Sequence, residues 1–164
     1  MKKKIFKKRI TGLIAKRHGQ LFEKEFENAC IRDNVQFINL PDFGARFINS
    51  KKFIRENICF DILIFKKGKI LFLDLKSIEC GVGLNYSRVH SKPHQIKELH
   101  KLKSEGFGAG YLIKVANLND EIYYCDINAV NKMKKGTSIK FNSMLKVGSL
   151  KNENCVTNFL NLCG

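Results

Sequence analysis

From Gly19 onward the segment GQLFEKEFENACIRDN sets Phe22, Phe26, Ala29 and Cys30 at helical spacing, with Glu23 and Glu27 one turn apart on a neighbouring stripe. This pattern predicts a first helix. VQFINLPDFGARF follows as a short strand entering a turn region with Pro41 and Gly44, and then INSKKFIREN, which is basic and poorly patterned. FDILIFKKGKILFLDLKS, residues 60–77, is two apolar runs about a short basic turn and predicts two strands. GVGLNYSRVHSKP is polar and unperiodic, hence a loop, until Pro93 opens PHQIKELHKLKSEG in the first-turn position where a missing N–H costs little. Ile96, Leu99 and Leu102 give this second helix an apolar stripe, and Gly106 is placed to end it. GAGYLIKVA and EIYYCDI predict two more strands around the turn NLND, and NAVNKMKKGTSIKFNSMLKVGSL a short helix with irregular structure.

The order helix, strand, strand, strand, helix, strand, strand predicts an α/β or α+β domain with a mixed sheet. A chain of 164 residues, 44 % of them hydrophobic, is long enough for one domain, 1–164, with its own core. Residues 1–16 read as a basic N-terminal arm or an electropositive first helix. There is no internal repeat or low-complexity tract.

Charge narrows the function. Thirty Lys and Arg against fifteen Asp and Glu give a formal net charge of +15, which favours a polyanionic partner, most simply nucleic acid. The six cysteines, Cys30, Cys59, Cys80, Cys125, Cys155 and Cys163, show no CxxC pair and no metal-finger spacing. Most sit in apolar segments, as reduced, buried thiols do, and a cytoplasmic protein is expected. His94 and His100 lack a nearby third ligand for zinc. Lys7, Lys8 and Arg9 interrupt any signal-like apolar start, and no segment approaches the roughly 20 apolar residues of a membrane span.

The candidate chemistry lies in the two central strands. Alternation puts Ile70, Phe72, Asp74 and Lys76 on one face of the second strand and Leu71, Leu73 and Leu75 on the other. If Lys67 and Gly68 form a two-residue turn, Lys66 faces Lys69, Leu63 faces Phe72, and Asp61 faces Asp74. A symmetric four-residue loop gives the same pairing; a three-residue loop slips it by one. Opposed residues have Cβ atoms about 5 Å apart, where like charges repel. A hard divalent cation such as Mg²⁺, bound by both carboxylates in an open position, resolves that repulsion. Lys76 can then hold a water or stabilise charge on a phosphate. The competing arrangement is an Asp74–Lys76 pair on an exposed sheet face.

Asp61 followed by Asp74-Leu75-Lys76 resembles the motif of the PD-(D/E)XK nucleases, with Asp in place of the commoner Glu at position 74. RHGQLFEKEFE resembles the Gly-x-x-Phe-Glu first helix of RecU-type Holliday junction resolvases, and KPHQIKELHKLKSEGFGAGYLIKV their His-Gln helix and following strand. GTSIKF resembles their Ser-Ile segment. The resemblance runs from about Arg17 to about Leu145. It implies a restriction-endonuclease-like core, a central mixed sheet flanked by helices, assembled as a homodimer. It also implies a metal-dependent endodeoxyribonuclease cleaving four-way junctions in recombination or repair, with Mg²⁺ as cofactor and Mn²⁺ as substitute. Asp61 and Asp74 become metal ligands, Glu23 an additional carboxylate at the metal site, Lys76 the catalytic lysine and Gln95 a residue near the scissile phosphate. Two departures stand out: PDFGARFINSKKFIREN is short where RecU proteins carry a stalk, and Cys59 replaces a polar residue that often precedes the first Asp by two.

Arg17, Arg46, Lys51, Lys52, Arg55, Arg88, His90 and Lys92 flank this site and are candidates for backbone phosphate contacts. Tyr86 offers a ring that stacks on an unpaired base or packs internally. The rival functions are another PD-(D/E)XK nuclease of restriction, flap or repair type, a non-catalytic DNA-binding module, and an RNA nuclease.

Overall fold

The computed structural model describes residues 2–40, 47–48, 51–52, 60–79 and 81–163, with side chains from residue 13 on except at 47–48 and 51–52. In chain order the elements are α1 (Lys2–Arg32), β1 (Gln36–Asn39), β2 (Phe47–Ile48), β3 (Lys51–Lys52), β4 (Ile62–Lys66), β5 (Lys69–Ile78), β6 (Gly83–Asn85), α2 (Tyr86–Val89), α3 (Pro93–Ser104), β7 (Gly108–Val115), β8 (Glu121–Asp126), α4 (Ile127–Asn131), β9 (Ser138–Lys140), β10 (Leu145–Gly148) and α5 (Cys155–Leu162). Among the described residues, one six-stranded sheet has the spatial order β1-β4-β5-β7-β8-β10. Its neighbours are antiparallel except β5 and β7, which run parallel and are joined through α3, the crossover that parallel pairing requires.

The two-residue period of β5 sorts the core. Leu71, Leu73 and Leu75 pack against Phe22, Phe26, Ala29 and Cys30 of α1 and Val156, Phe159 and Leu160 of α5. The opposite face carries Tyr111, Ile113, Tyr123 and Cys125 under Ile96 and Leu99 of α3 and Ile127 and Val130 of α4, with Phe72 at its margin. The result is the expected mixed sheet flanked by helices. Asp33, 5 % exposed, ties the chain's ends together: its carboxylate accepts from the N–H groups of Asn154 (3.1 Å) and Val156 (2.7 Å) and from Arg32 Nε (2.9 Å). It thereby satisfies donors at the start of α5 that the helix leaves open.

Several elements differ from expectation. The first helix starts at Lys2: residues 2–16 take the electropositive-helix alternative and run on into the segment from Gly19 as one helix. Leu13 and Ile14 on it are 68 % and 43 % exposed, so these positions pack against no sheet and leave no apolar stripe to read; good helix formers such as Lys, Arg, Leu and Ala continue it. The segment expected to be a loop after β5 forms β6 and α2. β6 pairs with β9, inside the tail expected to be irregular, so closely that a Cβ on Gly83 would stand 2.3 Å from the Ile139 carbonyl oxygen. β10 was also hidden in that tail, being four residues long with a register shift between Lys146 and Gly148. Residues 151–164 carry no expectation from the sequence, and α5 forms there.

Cys30, Cys125 and Cys155 are buried free thiols and Cys163 is a half-buried one. Burial pushes the Cys30 and Cys125 thiols up to about 12, which keeps them protonated and inert. Cys59, Cys80 and the turn region with Pro41 and Gly44 lie outside the described residues. Among the described residues no helix is long and apolar enough to cross a membrane.

Candidate active site

The β4–β5 hairpin turns at Lys67 and Gly68, both at positive φ, 52° and 79°. This matches the primed two-residue turn whose twist suits its strands. Lys66 faces Lys69, Leu63 faces Phe72 and Ile62 faces Leu73, and the next step of the register sets Asp61 against Asp74 as expected. Asp61 is held at three points. Its N–H donates to the Leu73 carbonyl at 3.0 Å, its carbonyl accepts from Leu40 N–H at 3.0 Å, and its Oδ2 accepts from Leu75 N–H at 2.6 Å.

Asp74 lies in the middle of β5 at 0 % exposure, and neither carboxylate oxygen accepts a directed hydrogen bond. The ammonium of Lys76 lies against Oδ2 as an ion pair. Burial, followed by the nearby charge of Asp61, pushes the Asp74 carboxyl up to about 6, while Lys76 and Lys92 pull the other way. Asp33 provides the contrast, because its equally buried carboxylate is surrounded by donors. An exposed Asp74–Lys76 surface pair is thereby excluded.

Parallel pairing with β7 places Tyr111 directly beside Asp74. The Lys76 ammonium stands 5.8 Å from the Tyr111 ring centroid, and the buried Tyr111 hydroxyl has no hydrogen-bond partner. Burial and then the Asp74 charge raise this phenol well above its usual range. Sequence reasoning missed Tyr111; a phenol inside the apolar run GAGYLIKV was the available signal.

The start of α3 turns toward the same point. Lys92 precedes Pro93, its charge acts on Asp74, and Gln95 in this first turn is 3 % exposed rather than a surface residue. Arg88 is exposed and donates from Nη1 to the Ser77 carbonyl at 3.3 Å, at the end of β5. His90 is stacked on Tyr86 with ring centroids 3.7 Å apart and planes 8° apart, so the packing role expected for Tyr86 is realised against this histidine. Arg17 is exposed on α1. Lys51 and Lys52 form β3 with side chains outside the described set, and Arg46 and Arg55 lie outside the described residues.

Glu23 is exposed on α1, the helix packed on the face opposite Asp74. Among the described residues no group of three or more His, Cys, Asp or Glu side chains is gathered to hold a metal ion. The pair Asp61 and Asp74 fits a hard divalent cation on its chemistry, since carboxylate oxygens are its preferred donors and those of Asp74 are buried without hydrogen bonds.

No family model and no curated protein matches the chain. Among solved structures the fold is similar to that of Hjc, a Holliday junction resolvase from the archaeal hyperthermophile Archaeoglobus fulgidus, with a TM-score of 0.54 at 15 % identity. The match covers 79 % of this chain and 96 % of that one. At this identity the likeness is one of fold, and it gives the chain a restriction-endonuclease-like core: a mixed sheet flanked by helices, with Asp74 and Lys76 on its central strand β5.

Proposed function

We propose that the protein is a divalent-metal-dependent DNA endonuclease of the PD-(D/E)XK type that cleaves four-way junctions, working as a homodimer with one active site per subunit. The observation that carries this reading is Asp74: a fully buried carboxylate that faces a second aspartate and has the Lys76 ammonium as its one close polar partner among the described residues. A site built for stability would satisfy or replace such a group. The likeness of fold to Hjc supports junction DNA as the substrate, and the sequence motifs support the RecU-type affiliation.

Asp61 and Asp74 would hold Mg²⁺ or Mn²⁺, which supplies Lewis-acid polarisation of a phosphate oxygen when bound. Lys76, held between Asp74 and the Tyr111 ring, orients the attacking water and donates a proton-bearing contact to the developing charge. Gln95, at the start of α3, positions the water or the phosphate, and the positive end of that helix's dipole favours an anion. Lys92 and Arg88 draw the DNA backbone toward the pair.

The test is incubation with a labelled four-way junction and the matching linear duplex, in Mg²⁺ or EDTA, alongside Asp74→Asn. Symmetric Mg²⁺-dependent nicking of the junction, lost in the variant, is the expected result. Equal cleavage of both substrates would keep the chemistry and remove the junction. Tight DNA binding without cleavage in any divalent metal would leave a binding module.

A further inference from the structure

A cleft of about 500 Å³ opens between the segment that leads into α3 and the turn before β9. Its walls are tied to each other through the main chain: Tyr86 N–H donates to the Thr137 carbonyl at 3.0 Å, and β6 pairs with β9 just beyond. Turns on both sides are braced, by Ser91 Oγ donating to the Arg88 carbonyl at 3.2 Å and Thr137 Oγ1 to the Lys134 carbonyl at 2.7 Å. The cleft is therefore a formed site.

We propose that this cleft receives one unpaired nucleotide of the DNA substrate, beside the strand being cut; the inference rests on the nuclease reading above. Three observations select that ligand. The stacked rings of Tyr86 and His90 make an aromatic wall, and the buried Nε2 of His90 has no partner. Ser87, Ser138 and Lys135 line the cleft with hydroxyls and a cation, and no carboxylate lines it. Two other clefts, of about 390 and 530 Å³, do carry carboxylates in their walls, Glu25 and Asp120 in the first and Asp126 in the second. Size agrees, since ligand sites of about 300–1,000 Å³ are ordinary for molecules of nucleotide scale.

Position links the cleft to the reacting centre. His90 and Ser91 lead directly into Lys92, whose charge acts on Asp74, and Arg88 from the same segment is anchored on β5 at Ser77. A base within continuous duplex has both faces covered by its neighbours, so an aromatic wall adds affinity only for a base that has left the stack. Branch points supply such bases, and the cleft thus favours branched over linear DNA.

The experiment uses the full chain with Ca²⁺ in place of Mg²⁺ and junctions carrying one 5-iododeoxyuridine at successive positions near the crossover. Irradiation should give a cross-link to Tyr86 or His90 from one position, and none from linear duplex. Tyr86→Ala should weaken junction binding about tenfold and Tyr86→Phe should restore it. Lys135→Glu, an exposed change that leaves the fold alone, should weaken it as well. Junction binding with cross-links only outside the cleft, or with affinity unchanged by Tyr86→Ala and Lys135→Glu, would overturn the proposal and leave the nuclease intact. A wild-type protein that binds and cuts no DNA would remove both.

Discussion

Asp61 Oδ2 accepts a 2.6 Å hydrogen bond from the backbone N–H of Leu75, the residue that follows the second aspartate. The side chain of Asp61 thus replaces the strand partner that β4 no longer supplies, and Asp61 and Asp74 are kept in register by a bond that is itself part of the site. Asp61→Asn keeps an acceptor and should fold with near wild-type stability while losing cleavage. Asp61→Ala leaves the Leu75 amide unpaired and should cost about 1–3 kcal/mol as well. Urea unfolding of both variants, run beside the cleavage assay, separates the structural role from the catalytic one; equal stability of the two would remove the structural role.

Asp74 gives stability a pH dependence of unusual sign for a carboxylate. Its folded value of about 6 lies above the ordinary 3.8, so between these pH values the folded state holds a proton that the unfolded state has released. Stability from this group is full below about pH 4 and is lost as pH rises through 6. Metal-free Asp74→Asn should therefore be more stable than wild type above pH 6, by on the order of 1–3 kcal/mol, with the difference vanishing near pH 4. Unfolding in EDTA at four pH values measures it. A difference that stays constant at all pH would rule out ionisation of the buried carboxyl as its source.

Cation binding should release that same proton. Mg²⁺ needs the ionised Asp74 carboxylate, so its apparent affinity should fall about tenfold per pH unit below about 6. Calorimetry in buffers of different ionisation enthalpy counts the proton directly. Asp74→Asn should show neither the proton nor the heat.

Lys76→Met removes the ammonium that lies between Asp74 and the Tyr111 ring. The loss should appear in kcat, by about 10²- to 10³-fold, with little change in KM, because the contact strengthens as charge develops on the phosphate. Single-turnover cleavage at saturating protein reads the chemical step. A change confined to KM would reassign Lys76 to ground-state binding.

The hairpin and its register were legible in the sequence because a period of two about one short turn brings Ile62 and Ile64 to the same face as Leu71, Leu73 and Leu75. The aspartate pair followed from that register. What stayed hidden was set by contacts between distant segments. Tyr111 enters only through the parallel pairing of β5 with β7, which no local pattern encodes. β6 and β9 are three residues each, too short to show a period, and pair closely at Gly83 with Leu84 beside Ile139 in the core. Glu23 looked close to the site because it neighbours an apolar stripe, yet that stripe packs on the other face of the sheet.

The crossover between β5 and β7 also orders events in time. Asp61 and Asp74 belong to one hairpin and meet by closing a short loop, an event of microseconds. Lys92 and Gln95 arrive only when α3 has docked and a parallel, non-local strand pair has formed, which is intrinsically slower. The carboxylate half of the site therefore assembles before the half that attracts phosphate. On the nuclease reading, the pair that would hold the cation is thus in place before the segment that would receive the DNA backbone.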